Sequence, residues 1–240
     1  QTIKNFEFLI VIDNPKNLEH RRIVEAYATS DDRINVFINK KNIGLPQSLN
    51  KGLLLAKGDL IARMDADDIA IPERLEREFE FLTQNPSYKV ISVNKVIIDE
   101  NDKEISRGSE LPSDFSLTRE AMMYTNIVLH PGCMFYKNFI LKLGGYREIN
   151  AAEDYDLWLR VISSGNQIGF VDENLMKYRM SNGNTSSSNA YIMWCSHQYV
   201  RTLYLERMEN GQDSYSEEKY LFYMESKKKQ DRRKNDRFNN

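Results

Sequence analysis

Residues 59–68 read DLIARMDADD, a short apolar run that leads into Asp65, Asp67 and Asp68. The apolar run predicts a buried strand, and the aspartates follow its carboxyl end. Carboxylates this close repel one another unless a cation or hydrogen-bond donors offset their charge. A divalent cation that carries a diphosphate would do so. An Asx turn with a helix cap, formed by Asp68 in particular, explains the same residues without any ligand.

Strand and helix patterns alternate on both sides of this stretch. They predict strands over 6–12, 34–38, 59–64 and 88–98, separated by helices over 18–28, over 45–56 and from Pro72 onward. Strands separated by helices of roughly 10–15 residues indicate a three-layer α/β architecture. In such sheets ligands bind beyond the carboxyl ends of the strands, where Asp13 and the aspartates 65–68 both fall.

The remainder of the chain is less regular. Helices are predicted over 113–124 and 152–164, and a strand over 130–136. Residues 181–189 are rich in Ser and Asn, and the chain from Tyr191 onward is helical in composition. This Ser/Asn-rich stretch therefore separates an α/β body from a C-terminal helical extension.

The composition narrows the class of protein. The 240 residues carry a net charge of −2 and are 41% hydrophobic and 28% charged. These values exclude collagen-like, disordered and coiled-coil proteins and fit one large domain or two small ones. No apolar run approaches the roughly 20 residues of a membrane-spanning helix. Cys133 and Cys195 lie far apart without a zinc-binding pattern, so a reducing cytoplasm is the expected location.

Charge is unevenly distributed along the chain. Residues 227–240, which we call the basic tail, hold seven basic and two acidic side chains and so carry +5. Because the whole chain carries −2, residues 1–226 carry −7. An acidic body argues against a nucleic-acid-binding protein. The basic tail either contacts an anionic membrane surface or forms a solvated helix end.

Two further positions are candidates for chemistry. Glu153 and Asp154 begin a predicted helix, as first-turn acidic residues or as a general base aimed into a cleft. His130 fits either a hydrogen-bonded loop residue or a catalyst. The sequence has no Walker A loop, Gly-x-Gly-x-x-Gly or Gly-x-Ser-x-Gly motif. The sequence therefore gives no support to an ATPase, a Rossmann dehydrogenase or a serine hydrolase.

Short motifs follow one another along the chain in a family-specific order. They are Asn42-x-Gly44, Asn50-x-Gly52, Ala56-Lys-Gly-Asp59, Met64-Asp-Ala-Asp-Asp68, His130-Pro-Gly-Cys-Met-Phe135, Gly144-Gly-Tyr146, Ala152-Glu-Asp-Tyr-Asp-Leu-Trp158 and Tyr178-Arg179. Over roughly residues 1–186 the chain resembles glycosyltransferase family 2, in particular bacterial transferases that build surface polysaccharides. The resemblance implies a GT-A-type three-layer α/β/α sandwich with a mixed, mostly parallel sheet. It also implies a donor half at 1–98, an acceptor half at 99–186 and a helical extension at 187–240.

The resemblance implies a role for each acidic position. Asp13 and Asn42 would bind the nucleotide-sugar donor. Asp65 and Asp67 would form the DXD motif that holds Mg²⁺ or Mn²⁺ with the donor. The remaining positions would be the catalytic base Asp154 and the acceptor-side or supporting residues His130, Glu153 and Arg179.

Three features depart from the family pattern. Leu49 stands where many relatives carry an Arg that approaches the nucleotide base of the donor. Residues 181–184 stand where many relatives carry a metal-binding His. The nucleotide preference and the third metal ligand therefore stay open. Family members also begin with an apolar strand and helix ahead of the segment at which this chain starts, so a shortened chain is expected.

The resemblance implies an inverting, metal-dependent glycosyltransferase that uses a nucleotide-diphosphate sugar, with a UDP-sugar favoured. The acceptor would be a growing saccharide or lipid-linked saccharide at the cytoplasmic membrane face, and the oligomeric state stays open. A nucleotide-sugar-binding or assembly module without transferase activity is the alternative. A lipid or nucleic-acid binder driven by the basic tail is a third hypothesis, testable by its salt dependence.

Overall fold

The computed structural model describes residues 1–112, 114–180 and 190–238, with side chains described as far as Asp231. The helices are α1 (Leu18–Ser30), α2 (Leu45–Leu55), α3 (Arg74–Gln84), α4 (Phe115–Met122), α5 (Lys137–Lys142), α6 (Glu153–Ser163), α7 (Ala190–Asn210) and α8 (Glu217–Phe238). The strands are β1 (Phe8–Ile12), β2 (Ile34–Ile38), β3 (Leu60–Ala62), β4 (Ile69–Ala70), β5 (Tyr88–Ile98), β6 (Glu104–Arg107), β7 (Cys133–Tyr136) and β8 (Gln167–Arg179).

The strands form two sheets. β1 and β2 pair in parallel as a two-stranded sheet, and the other six strands are ordered β3-β7-β5-β8-β4 with β6 on β5. Of the pairings described, β1–β2 and β5–β8 are parallel and the other four are antiparallel. Because the parallel pairings are the longest, most paired residues lie in parallel ladders, as the predicted mixed, mostly parallel sheet requires.

The division into two sheets was not expected from the sequence. Where β1 approaches the start of β3, the Glu7 carboxylate accepts backbone hydrogen bonds from Lys57 at 2.5 Å and Gly58 at 3.2 Å. The two sheets are thus joined here by a side chain. The carboxyl ends of β1 and β3 nevertheless lead into Asp13 and Asp65, as the βα pattern predicted.

Several elements match their predicted bounds. β2 and β5 begin and end as predicted, and α2 and α6 differ from the prediction by one residue at one or both ends. Asp68 does not cap a helix, so that alternative is wrong. The residue is followed directly by β4, and α3 begins only at Arg74.

The sequence did not predict β8, the longest strand. Its central residues Asp172, Glu173 and Asn174 are exposed, which breaks the apolar pattern of a buried strand. The strand pairs with the mostly buried β5, which begins 79 positions earlier in the chain, on both sides of an irregularity at Asp172 and Glu173. Tyr88 pairs with Gln167 at one end of the ladder, and Ile98 pairs with Arg179 at the other.

The C-terminal extension is helical, as predicted, and belongs to the main core. Cys195, Val200 and Leu203 of α7 are buried in the same cluster as Trp158 of α6. The predicted boundary at 186/187 lies outside the described residues, so the three-part division stays a prediction. Within the described part of the chain, every helix is too short or too polar to cross a membrane.

Candidate functional site

Three carboxylates converge just beyond the end of β3. Oxygens of Asp65, Asp67 and Asp68 lie within 4.8 Å of one another. Asp65 is half-buried, Asp67 is exposed and Asp68 is buried. The start of the loop is held by the Arg63 N–H, which donates to the Cys133 carbonyl at 2.9 Å. The structure therefore brings the predicted DXD residues to one point.

Asp68 belongs to this cluster, although the sequence left it as a possible cap. Its Oδ1 accepts the Arg179 N–H at 2.8 Å, whereas its Oδ2 is buried and lacks a hydrogen-bond donor among the described residues. Burial raises the pKa of Asp68 to about 6, and the negative charges of Asp65 and Asp67 add to the increase. A buried carboxylate oxygen without a donor, beside two further carboxylates, fits a hard divalent cation such as Mg²⁺ or Mn²⁺.

Arg179 supports the aspartate loop from β8. Besides the bond to Asp68, its Nε donates to the Asp67 carbonyl at 2.8 Å. Its terminal nitrogens donate to the Asp99 carbonyl at 2.8 Å and to Asp102 Oδ1 at 2.6 Å. The guanidinium therefore ties the loop to the turn after β5. Of the two roles predicted for Arg179, this geometry matches the supporting one.

Arg63 is a site residue that the sequence analysis missed. Its side chain is only 8% exposed, and a terminal nitrogen lies 2.5 Å from Asp65 Oδ1. Its Nε and other terminal nitrogen are buried without a hydrogen-bond acceptor in the described part of the chain. A buried charge is costly unless paired. An arginine inside the otherwise apolar run LIARM was the available signal.

Asp154 and Glu153 occupy the first turn of α6. Asp154 Oδ2 accepts a hydrogen bond from Asn126 Nδ2 at 2.8 Å, and its Oδ1 accepts the Tyr155 N–H at 2.7 Å. Burial raises the pKa of both carboxyls, and the positive charge of Arg63 opposes the increase. Arg63 thus acts electrostatically on both acidic groups of the site. Asn126 was not among the sequence candidates.

Asp13 organises the loop between β2 and α2. Its Oδ1 accepts from Asn39 Nδ2 at 2.8 Å and from the Ile43 N–H at 2.9 Å, and its Oδ2 accepts from the Gly44 N–H at 2.8 Å. Burial alone would raise the pKa of Asp13, but these hydrogen bonds outweigh it and leave the pKa below its usual value. The carboxylate is thereby kept charged, and it positions the loop that exposes Asn42.

Gly44 permits the sharp bend of this loop. Its φ is +87°, a conformation that a residue with a Cβ adopts only under strain. The helix α2 begins at the next residue.

His130 is buried beneath the site. Its Nε2 lies 3.0 Å from the Tyr146 hydroxyl, and its ring meets Trp158 edge-on with ring centres 5.9 Å apart. Burial, assisted by the Arg63 charge, holds the pKa of His130 well below its usual value, so the imidazole is neutral at pH 7. This geometry fits the predicted supporting role.

Similarity to known proteins identifies the family of this chain. A family model described as glycosyl transferase family 2 matches residues 1–144. The chain belongs to that family. This family 2 member is 33% identical to an uncharacterized glycosyltransferase of Methanocaldococcus jannaschii over 76% of its length and 63% of the relative's. It is also 30% identical to the O-antigen biosynthesis glycosyltransferase WbnJ of Escherichia coli, over 86% of its own length and 81% of the relative's.

A third relative of the family 2 chain is the amylovoran biosynthesis glycosyltransferase AmsE of Erwinia amylovora. The two are 30% identical over 75% of this chain and 66% of the relative. The chain therefore spans about two thirds to four fifths of the length of these three relatives.

Two solved structures share the fold of the family 2 chain. The mannosyltransferase PcManGT of Pyrobaculum calidifontis, solved with GDP-Man and Mn²⁺, aligns with a TM-score of 0.61 at 16% identity, over 86% of this chain and 56% of that one. TarS of S. aureus aligns with a TM-score of 0.61 at 18% identity, over 90% and 59%. The predicted GT-A fold is confirmed.

Proposed function

We propose that this family 2 chain is a metal-dependent glycosyltransferase that inverts the anomeric centre of a nucleotide-diphosphate sugar, with a UDP-sugar as the favoured donor. The observation that carries the proposal is the buried Arg63, whose charge acts on both groups of carboxylates. Arg63 pairs with Asp65 of the loop cluster, and its charge opposes the burial-driven rise in the pKa of Asp154 at the start of α6. The aspartate cluster has the ligands that a divalent cation with a diphosphate requires, and Asp154 can act as a general base.

Asp154 is the proposed general base. It would take the proton of the acceptor hydroxyl as that oxygen attacks the anomeric carbon of the donor. The hydrogen bond from Asn126 Nδ2 to Oδ2 fixes the carboxylate, and the raised pKa makes it a stronger proton acceptor once ionised. The position at the first turn of a helix supplies free N–H groups that stabilise the charged form.

The aspartate loop is the proposed metal site. Asp67 and Asp65 would hold Mg²⁺ or Mn²⁺, and the buried Oδ2 of Asp68 is a third candidate oxygen. When bound, the ion would offset charge that develops on the departing nucleoside diphosphate. Asp13 and Asn42 would position the nucleotide, since Asp13 shapes the loop that exposes Asn42. Residues 181–184, which stand where many relatives carry a metal-binding His, lie outside the described residues.

The proposed process is assembly of a cell-surface polysaccharide on a growing saccharide or lipid-linked saccharide acceptor. The names of WbnJ and AmsE, which refer to O-antigen and amylovoran biosynthesis, support this assignment. The proposed place is the cytoplasmic face of the membrane, and the basic tail is compatible with it. Contact between the tail and anionic lipid stays a prediction, with roughly 1 kcal/mol expected per basic residue near the surface.

Replacement of Asp67 tests the metal site. Release of UDP from a panel of UDP-sugars is measured with Mn²⁺, with Mg²⁺ and with a chelator. We expect turnover in the wild type to need the ion, and Asp67→Ala to abolish it, because the exposed carboxylate would be the principal ligand. Glu173→Gln, on an exposed strand segment, is the matched control and should behave as wild type. Turnover that survives both the chelator and Asp67→Ala would contradict metal dependence.

Replacement of Asp154 tests the base. We expect Asp154→Asn to lower the transfer rate by about 10²- to 10⁴-fold, the usual contribution of a general base. Binding of UDP with Mn²⁺, measured by calorimetry, should stay within a few-fold of wild type, because the amide keeps the shape of the side chain. Near-wild-type transfer by Asp154→Asn would contradict the assignment of Asp154 as the base. Binding of UDP without turnover of any donor by the wild type would instead favour the binding-module alternative.

A further inference from the structure

Arg74, the first residue of α3, is a buried charge outside the two groups of carboxylates. Its side chain is only 1% exposed, and all three guanidinium nitrogens donate hydrogen bonds. A positive charge at the amino end of a helix is unfavourable in the field of the helix dipole, and burial removes the charge from water. The contacts of Arg74 must therefore offset two unfavourable contributions to the free energy of folding.

Arg74 closes the neck of the aspartate loop, residues 64–73, which contains all three aspartates of the cluster. Its Nη2 donates to the carbonyl of Arg63, the residue before the loop, at 2.7 Å. The same nitrogen lies 3.4 Å from the Cys133 carbonyl, which also accepts the Arg63 N–H at 2.9 Å. Both ends of the loop are thus fixed at one point, where the pairing of β3 with β7 ends.

Two further contacts orient the guanidinium of Arg74. Glu78, one turn further along α3 and fully buried, accepts a hydrogen bond from Arg74 Nε to its Oε1 at 3.1 Å. Arg74 Nη1 donates to the sulfur of Met176 in β8 at 3.1 Å. Because Glu78 also supplies the opposite charge, it stabilises the arginine in the orientation that directs Nη2 to the Arg63 carbonyl.

The position of Arg63 determines the position of the aspartate cluster. Asp65 follows Arg63 by two residues, and the Arg63 side chain lies 2.5 Å from its Oδ1. Further along the loop, Asp68 accepts the Arg179 N–H at 2.8 Å. The loop is therefore held at its neck and at Asp68, and its carboxylate oxygens lie within 4.8 Å of one another. Groups that orient metal ligands in this way contribute to the affinity for the metal.

We propose that Arg74, with Glu78 as its counterion, is a positioning residue that holds the aspartate loop in the geometry that binds Mg²⁺ or Mn²⁺. The inference rests on the proposed function, because that function assigns the metal to this loop. Among the described residues, Glu78 is the one carboxylate that pairs with Arg74, so Arg74 acts on the metal site through the Arg63 backbone. A role in stability alone would leave the metal affinity of the folded protein unchanged.

The test is binding of Mn²⁺ to the full chain, measured by electron paramagnetic resonance with and without UDP. Burial raises the pKa of Glu78 to about 7 against the effect of Arg74, so a titration at pH 8 keeps the pair ionised. The double variant Arg74→Met, Glu78→Leu replaces the pair by apolar side chains, an exchange that often leaves stability unchanged. We expect it to bind Mn²⁺ about 10- to 100-fold more weakly than wild type, the usual effect of removing a group that orients metal ligands.

Two single variants complete the assignment, and urea unfolding shows which variants fold. Arg74→Lys keeps the charge beside Glu78 but lacks the directed donors of the guanidinium, so its Mn²⁺ affinity should lie between those of wild type and the double variant. Arg77→Met is the matched control and should bind Mn²⁺ as wild type does, because Arg77 lies on the same helix and its pairs with Glu80 and Glu173 are exposed. Wild-type affinity in the folded double variant would overturn the proposal. If the double variant does not fold, wild-type affinity in Arg74→Lys would overturn it.

Release of UDP from the donor panel separates this inference from the proposed function. Binding of Mn²⁺ by wild type without turnover of any donor would contradict the transferase assignment, whereas the Mn²⁺ affinities would still decide the role of Arg74. Turnover by wild type with unchanged Mn²⁺ affinity in the folded double variant would overturn the positioning role alone. Absence of Mn²⁺ binding by wild type, with and without UDP, would overturn both the metal site and this inference.

Discussion

Arg63 is the side chain on which both groups of carboxylates depend. Its guanidinium contacts Asp65 at 2.5 Å, and its charge lowers the pKa of Glu153 and Asp154 against the effect of burial. Its backbone carbonyl accepts from a terminal nitrogen of the buried Arg74 at 2.7 Å, so the residue is held from both sides. The positive charge of Arg63 thus offsets part of the repulsion among these carboxylates.

Replacement of Arg63 should change the pH dependence of transfer. Asp154 must be ionised to act as a base, burial raises its pKa, and Arg63 opposes that increase. In Arg63→Met the pKa of Asp154 would rise further, so the acidic limb of the kcat/KM profile should move to higher pH. Arg63→Lys keeps the charge and should shift the limb less. An unchanged profile in Arg63→Met would show that the charge of Arg63 does not affect the pKa of Asp154 during catalysis.

Asn126 should act on the rate more than on donor binding. Its Nδ2 bond to Asp154 orients the carboxylate, while its Oδ1 accepts the Val128 N–H at 3.2 Å. A hydrogen bond to a charged group contributes about 1.5–3 kcal/mol, so we expect Asn126→Ala to lower kcat by about 10- to 100-fold. The KM for the donor should change little. A large rise in that KM with unchanged kcat would place Asn126 on the donor side instead.

Helix α6 is the element that holds the proposed base in place. Asp156, two residues after Asp154 and fully buried, pairs with Arg160 at 2.8 Å. The terminal nitrogens of Arg160 donate to the carbonyls of Leu143 and Gly145, each at 2.6 Å. The helix is therefore anchored to the loop before it by a buried ion pair with satisfied hydrogen bonds.

Breaking this pair should destabilise the whole chain. We expect Arg160→Met to lower the free energy of unfolding by about 3–5 kcal/mol, because among the described residues it leaves the Asp156 carboxylate with only Arg147, 3.4 Å away, as a charged partner. Urea unfolding followed by circular dichroism measures the change. Arg21→Met removes an exposed pair with Glu25 and should cost less than about 1 kcal/mol. Equal losses in the two variants would contradict the structural role of Arg160.

At the scale of the molecule, the C-terminal helices complete the core of the α/β body. Residues of α7 are buried against α6, and Asp213 between α7 and α8 pairs with Arg147 at 2.9 Å and with Arg207. The Tyr220 hydroxyl of α8 meets Ser196 of α7 at 2.8 Å. The extension is therefore a structural part of the α/β body.

Deletion of residues 190–240 should prevent cooperative folding. The deletion removes Cys195, Val200 and Leu203 from the core, and burial of one large apolar side chain contributes roughly 1.5–3 kcal/mol. Several such losses approach the total stability of a domain, about 5–15 kcal/mol. Deletion of the basic tail alone should leave Tm nearly unchanged. Thermal melting and gel filtration check both, and a stable, folded 1–189 fragment would contradict this expectation.

How much of the structure the sequence predicts depends on how far apart in the sequence the contacting residues lie. Periodicity along a few residues was enough to find β2, β5 and α6 and to place the aspartate cluster after a strand. It was insufficient for β8, whose polar centre interrupts the apolar pattern and whose two ends are fixed by pairing with β5. It was insufficient for Arg63 and Asn126, which gain their roles from neighbours distant in sequence.

The sequence by itself determined most of the strands and helices of residues 1–98, the family and the carboxylates available for chemistry, because these depend on residue type and short spacing. Tertiary structure alone decided which of those groups meet. Asp68 is bonded to Arg179 across 111 positions, and Asp154 to Asn126 across 28. Such pairs form only when folding of the sheet brings together residues that are distant in sequence, and local sequence patterns do not show which residues will meet.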